Sequence, residues 1–100
     1  MTIHTEKKGD KLTIAIEGHL DTLTAPELEA VVDTELEDVS EVVLDLSGTE
    51  YISSAGLRVL LKAQQIIDAK DGSMPVRGAN EIVMEIFEDT GFTNILEIEE

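Results

Sequence analysis

Cysteine is absent from the 100 residues, which excludes disulfides and thiolate metal ligands. Absence of cysteine fits a cytoplasm, as it fits other compartments. Aromatic residues number three, with no tryptophan among them, so any core has to be built from aliphatic side chains. Those are plentiful: hydrophobic residues make up 42% of the chain, enough for one compact domain over residues 1–100. Long apolar runs are missing. Nothing approaches the roughly 20 residues needed to span a bilayer, and Met1-Thr2-Ile3-His4 lacks the basic start of a secretory leader. Basic residues are scarce, seven against 22 acidic ones, for a formal charge of −15. That balance argues against nucleic acid and anionic membranes as partners. It favours solubility and a protein partner with a basic docking surface. For any single carboxylate, a solvated acidic exterior is explanation enough.

The usual signs of catalysis are missing too. His4 and His19 are isolated, with no partner at metal-ligand spacing, so no metal site is expected. G-x-S-x-G is absent, and Gly9, Gly18 and Gly48 are single turn glycines rather than a phosphate loop. Pairs of carboxylates are easy to imagine among so many acids and carry little information. No catalytic residue and no cofactor is therefore expected.

What is present is a strongly patterned chain. Thr2–Lys8 and Lys11–Glu17 read as strands joined by a Gly9-Asp10 turn, with Leu12, Ile14 and Ile16 alternating onto one face. Gly18-His19-Leu20-Asp21 interrupts the alternation and reads as a loop. Thr24-Ala25-Pro26-Glu27 matches a capping box, with Leu23 and Leu28 at the staple positions. A helix follows to about Asp38, with Leu28, Val31, Val32 and Leu36 on one side. Glu41–Leu46 is the most hydrophobic strand and is expected at the centre of the sheet. Ser47–Glu50 reads as a loop into the next helix.

That helix begins at Ser53-Ser54, where unpaired backbone N–H groups and the positive end of the helix dipole favour a capping oxygen or an anion. Gly56, Val59, Leu60, Ala63, Ile66 and Ile67 share the arc that faces the sheet. Leu57 and Leu61 fall outside it with Arg58, Lys62, Gln64 and Asp68, which marks them for a neighbouring helix or a partner. Asp71-Gly72-Ser73 ends the helix, and Met74–Gly78 is a short strand. Asn80 caps a third helix that turns Ile82, Val83, Ile86 and Phe87 inward and stops at Gly91. Leu96–Ile98 reads as a last short strand. The order ββαβαβα specifies an α/β fold, a mixed sheet of four or five strands with helices packed against it and right-handed crossovers.

Three segments carry a resemblance: Gly18-His19-Leu20-Asp21, Val43-Leu44-Asp45-Leu46-Ser47 and Tyr51-Ile52-Ser53-Ser54-Ala55-Gly56-Leu57. In order and over nearly the whole chain, they resemble a STAS domain of the bacterial anti-sigma factor antagonist type. The family motif is Asp-Ser-(Ser/Thr/Ala)-Gly-Leu. Aligned on Gly56-Leu57, the phosphorylated serine of the family falls on Ser54, with Ser53 as the alternative acceptor. The family aspartate falls on Ser53, where this chain departs from the pattern.

The resemblance implies partner switching. An unphosphorylated antagonist binds an anti-sigma factor that is also a serine kinase, which frees the sigma factor. Phosphorylation breaks the complex, and a PP2C-type phosphatase restores it. The implied partner surface comprises Gly18, His19, Leu20, Asp21, Ser53, Ser54, Ala55, Gly56, Leu57, Arg58 and Leu61. The antagonist is neither enzyme nor metal protein, and nucleic acid and membrane are not expected partners. The rival reading is a STAS regulatory domain that binds a nucleotide or serves as a scaffold subunit in a stress-signalling or transport assembly.

Overall fold

A computed structural model describes residues 1–99 of the chain; residue 100, the end of the expected domain span, lies outside the described residues. The elements are β1 (Thr2–Lys8), β2 (Lys11–Leu20), α1 (Ala25–Glu35), β3 (Glu41–Ile52), α2 (Ser54–Asp68), β4 (Pro75–Arg77), α3 (Glu81–Thr90) and β5 (Glu97–Ile98), with short 3-10 turns after α1 and α3. The five strands lie in the order β1-β2-β3-β4-β5. The first pair is antiparallel and all later pairs are parallel. β3 is central, as its hydrophobicity predicts.

The strand order explains the layering. Each crossover from β2 onward moves the same way across the sheet. Right-handed connections then put α1, α2 and α3 on one face. The side-chain pattern agrees: Leu12, Ile14, Ile16, Val42, Leu44, Leu46 and Val76 are buried on the helix side, while Thr13, Ala15, Asp45 and Arg77 alternate onto the open side. The buried hydrophobic side chains are aliphatic except for Met74 and Phe87.

β2 and β3 run further than the sequence pattern predicts. Gly18, His19 and Leu20 belong to β2, and Ser47–Glu50 belongs to β3, so neither segment is a loop. Two register shifts, between Ala15 and Glu17 and between Gly18 and His19, re-aim β2 and break its alternation. Gly18 sits at φ +97°, a backbone state that side-chain-bearing residues rarely adopt. Thr49 is buried within β3, and its hydroxyl donates to the Ile16 carbonyl at 2.7 Å. The polar residues that suggested a loop are thus paired inside the ladder.

Three helical expectations also change. Leu23 is 88% exposed and staples nothing. Ile82 is 56% exposed, leaving Val83 and Phe87 as the buried anchors of α3, with Ile86 half-buried. Leu57 and Gln64, placed outward by the wheel, are only 6% and 4% exposed. They lie at the edge of the α2 arc, and the buried surface is wider than the arc that meets the sheet. Asn80 accepts the Val83 N–H at 2.8 Å, and Gly91 closes α3 at φ +80°, both as the sequence predicts.

Candidate functional site

The site lies at the carboxyl ends of β2 and β3, which finish side by side with Leu20 paired to Ile52. The Ser53 N–H donates to the Leu20 carbonyl at 2.8 Å, so the turn into α2 is tied to the end of β2. Gly56 completes the junction. A Cβ there would lie 2.7 Å from Leu20 Cγ, 2.9 Å from the Leu20 carbonyl oxygen and 3.0 Å from Ile52 Cγ2. Only a glycine lets the first turn of α2 settle this close to the two strands.

Ser53 and Ser54 have different jobs. Ser53 is the extended N-cap of α2, and its hydroxyl oxygen accepts the Gly56 N–H across 3.4 Å, a long contact. Ser54 is the first helical residue, exposed, and among the described residues its hydroxyl makes no hydrogen bond. One serine is committed to the cap and the other faces solvent.

Across the strand ends lies the β2–α1 turn, built around Asp21. Its Oδ1 accepts the N–H groups of Leu23 at 3.0 Å and Thr24 at 3.1 Å. The Thr24 hydroxyl accepts the Asp21 N–H at 2.8 Å and donates to the His19 carbonyl at 2.8 Å. The expected capping box is therefore replaced. Thr24 has helical backbone angles and no side-chain capping bond, and Asp21 takes over the bracing of the turn. The Thr24 N–H above all, with its hydroxyl, the Leu23 N–H and nearby His19 adding to it, holds the Asp21 carboxyl below its ordinary value.

The residues singled out by the sequence divide by depth. Leu20, Gly56 and Leu57 are buried, so the outward-facing role expected of Leu57 is corrected: it belongs to the core cluster beneath the site. His19, Ser54 and Arg58 are exposed, while Gly18, Asp21, Ser53, Ala55 and Leu61 are half-buried. Sequence reasoning missed two exposed neighbours. Leu23 projects from the Asp21-braced turn. Tyr51 is exposed, with its ring edge-on to His19 at 6.2 Å between centroids. The Asp21-x-x-Thr24 spacing, an Asx-type turn, was the available sign that Leu23 sits in a turn and not in a staple.

A groove of about 480 Å³ opens between α1 and α2, reaching Ala55 in the first turn of α2. Ala25, Pro26, Ala55 and Val59 give it apolar walls, and Arg58 and Lys62 stand along it. Lys62 is held by Asp33 at 2.7 Å and Glu29 at 3.1 Å, and these bonds, that of Asp33 first, raise its pKa. Among the described residues the strand order never reverses after β2, so these strands form no switch-point crevice of the kind that receives nucleotides in doubly wound folds. Among the described residues no cluster of His, Asp or Glu is arranged for a metal, and no helix is long and apolar enough to cross a membrane.

A one-sided, mostly parallel sheet whose adjacent strands β2 and β3 end at a serine-capped helix defines a class of small α/β domain, and comparison with known families identifies it. Residues 3–97 match the family described as Mlab, STAS domain, and the chain belongs to the STAS family. Its relatives include the anti-sigma-B factor antagonist of Staphylococcus epidermidis, 27% identical over 101 residues that cover 100% of this chain and 94% of the relative. BtrV of Bordetella bronchiseptica, named as a candidate anti-sigma factor antagonist, is 31% identical over 99 residues, covering 98% of this chain and 85% of BtrV. The fold is similar to the crystal structure of an anti-sigma factor antagonist from Mycobacterium paratuberculosis, with a TM-score of 0.87 and 23% identity over 97% of this chain and 83% of that one. It is also similar to the anti-sigma factor antagonist SpoIIAA in its unphosphorylated form (TM-score 0.79, 14% identity, 99% and 88% covered). The phosphorylated form of SpoIIAA, a Bacillus cell fate determinant, gives a TM-score of 0.77 at 15% identity, with 99% and 92% covered.

Proposed function

We propose that the protein is an anti-sigma factor antagonist controlled by phosphorylation of Ser54. In its unmodified form it binds an anti-sigma factor that is also a serine kinase, and a sigma factor is released. Phosphate on Ser54 ends the interaction, and a PP2C-type phosphatase reverses it. The chain acts in the cytoplasm as one STAS domain over residues 1–100. It is a binding partner and a kinase substrate, with no catalytic residue, cofactor or metal of its own.

The observation that carries this reading is the division of labour between the two serines: Ser53 is committed to the cap, and Ser54 is exposed at the first position of α2. The curated relatives named as antagonists support it. The serine at the family aspartate position keeps the capping oxygen, so the helix start survives the departure from the family motif. The partner face comprises the exposed parts of Gly18, His19, Asp21, Ser53, Ser54, Ala55, Arg58 and Leu61, and takes in Leu23. Leu20, Gly56 and Leu57 support it from below.

Phosphoserine adds about −1.5 to −2 charges at neutral pH and three acceptor oxygens. The first-turn N–H groups of α2 favour that charge by roughly 0.3–1 kcal/mol. Asp21 opposes it, screened by salt. The net effect on folding is small, and the effect on a closely packed partner is large. Incubation with the cognate kinase and ATP should add one phosphate, found on Ser54 by mass spectrometry and abolished by Ser54→Ala. Phosphate on Ser53 or on a threonine, with Ser54→Ala still fully modified, would refute the assignment.

A further inference from the structure

We infer that Arg58 is the moving contact of this switch: in the unmodified protein it receives a carboxylate of the partner at the α1–α2 groove, and after phosphorylation it is taken by the phosphate on Ser54. The inference rests on the phospho-switch reading and names the chemistry of its partner.

The cations of this acidic chain are otherwise spoken for at this end of the molecule. Lys7, Lys8 and Lys11 sit on the β1–β2 hairpin, at the opposite end of β2 from the site. Lys70 donates to backbone carbonyls after α1, and Arg77 pairs in register with Asp45 on the open sheet face. Lys62 is bound to Glu29 and Asp33. Arg58 is exposed and makes no ion pair among the described residues. It lines the α1–α2 groove together with apolar Ala25, Pro26, Ala55 and Val59, and the one carboxylate in that lining, Glu29, is bound by Lys62 at 3.1 Å. A single unpaired guanidinium beside apolar side chains fits an aliphatic side chain with a carboxylate next to it, because the charge is complementary and the fork donates two parallel hydrogen bonds to a carboxylate. The occupant is therefore an Asp- or Glu-bearing, aliphatic segment of the anti-sigma factor. The net charge of −15 on this chain draws in a basic docking surface at long range, and this acidic contact fixes the position.

Ser54 and Arg58 are four residues apart on one side of α2, the spacing at which side chains of a helix meet. The order is also favourable, with the acidic group N-terminal to the basic one. A phosphate on Ser54 therefore lies one turn from the guanidinium and competes with the partner's carboxylate for it.

The test needs no kinase. Phosphoserine is incorporated at position 54 during translation, in the whole chain and in Arg58→Gln, and the phosphate is titrated by phosphorus NMR. With Arg58 present its second proton should leave at a pH lower by roughly 0.3 unit or more than in Arg58→Gln. Equal titration in the two proteins overturns capture. In the unmodified protein, 4-methylpentanoate serves as the probe of the groove, with 4-methylpentanamide as its uncharged counterpart. The carboxylate, and not the amide, should shift the amide signals of Ala25, Arg58 and Val59 in a saturable way. Phosphoserine at 54 should weaken it roughly two- to fivefold, the reach of an exposed ion pair. Absence of saturable shifts at these residues, equal response to the amide, or unchanged affinity in the phosphorylated form overturns the exchange. Failure of a kinase to modify Ser54 would instead count against the phospho-switch reading and leave these two results standing.

Discussion

At the scale of residues, the site depends on what Asp21 holds. Its carboxylate binds two N–H groups of the β2–α1 turn, and those bonds lower its pKa. A depressed carboxyl contributes order above its unfolded pKa and loses it as pH falls through the folded one. The turn should therefore stay ordered through neutral and mildly acid pH and loosen only below the ordinary carboxylate range. Amide hydrogen exchange at Leu23 and Thr24 would follow this; loosening that begins at mildly acid pH, above the ordinary carboxylate range, would contradict the role given to Asp21. Leu57 and Leu23 give opposite mutational outcomes. Leu57→Ala, in the core, should cost about 2–5 kcal/mol in chemical denaturation. Leu23→Ala should stay within about 0.5 kcal/mol of the parent yet weaken partner binding, and a large loss of stability would move Leu23 into the fold. These two leucines also mark what the sequence conveys. Periodicity places Leu60 and Ile67 correctly, because both lie in the middle of the buried arc. It fails for Leu57, at the arc's edge, where neighbouring chain decides burial. It fails for Leu23 because a local carboxylate, not a hydrophobic staple, sets the start of α1.

At the scale of elements, the junction of α2 with β2 and β3 is the part that positions Ser54. Gly56→Ala would push a methyl group against Leu20 and Ile52 and should destabilise by about 1–3 kcal/mol. The displaced first turn should also reduce phosphorylation of Ser54. A stability equal to the parent would show that α2 is not seated on Leu20 as described. Lys70, near the C-terminal end of α2, donates to the carbonyls of Leu36, Glu37 at 2.8 Å and Val39 at 3.1 Å, and so closes the turn that follows α1. Lys70→Met leaves those carbonyls without their donor and should cost about 1–3 kcal/mol, read as a lower midpoint in urea. The caps of α2 and α3 were legible because a capping side chain and its N–H lie within three residues. The true lengths of β2 and β3 were not, because their ends are built from glycine, serine, threonine and glutamate. Those residues look like loop until the partner strand satisfies them, as Ile16 does for Thr49.

At the scale of the molecule, a net charge of −15 is already carried without loss of the fold. One phosphate adds little to it, and its local terms are far below the roughly 5–15 kcal/mol that stabilise a domain. The phosphorylated protein should melt where the unmodified one does, and its association with a basic partner should slow as salt rises. The general architecture was legible from the alternation of strand and helix and from the direction imposed on each crossover. The groove was not, since it arises from the spacing of α1 and α2, which no local pattern records. In the proposed switch, a phosphate on Ser54 acts through binding and not through folding. Calorimetric titration of the proposed partner, an anti-sigma factor kinase from the same cell, against unmodified and Ser54-phosphorylated protein addresses this directly. The predicted result is an affinity at least roughly tenfold weaker, about 1.4 kcal/mol, for a phosphorylated protein that is equally folded. Equal affinity for the two forms, or loss of the fold on phosphorylation, would contradict it.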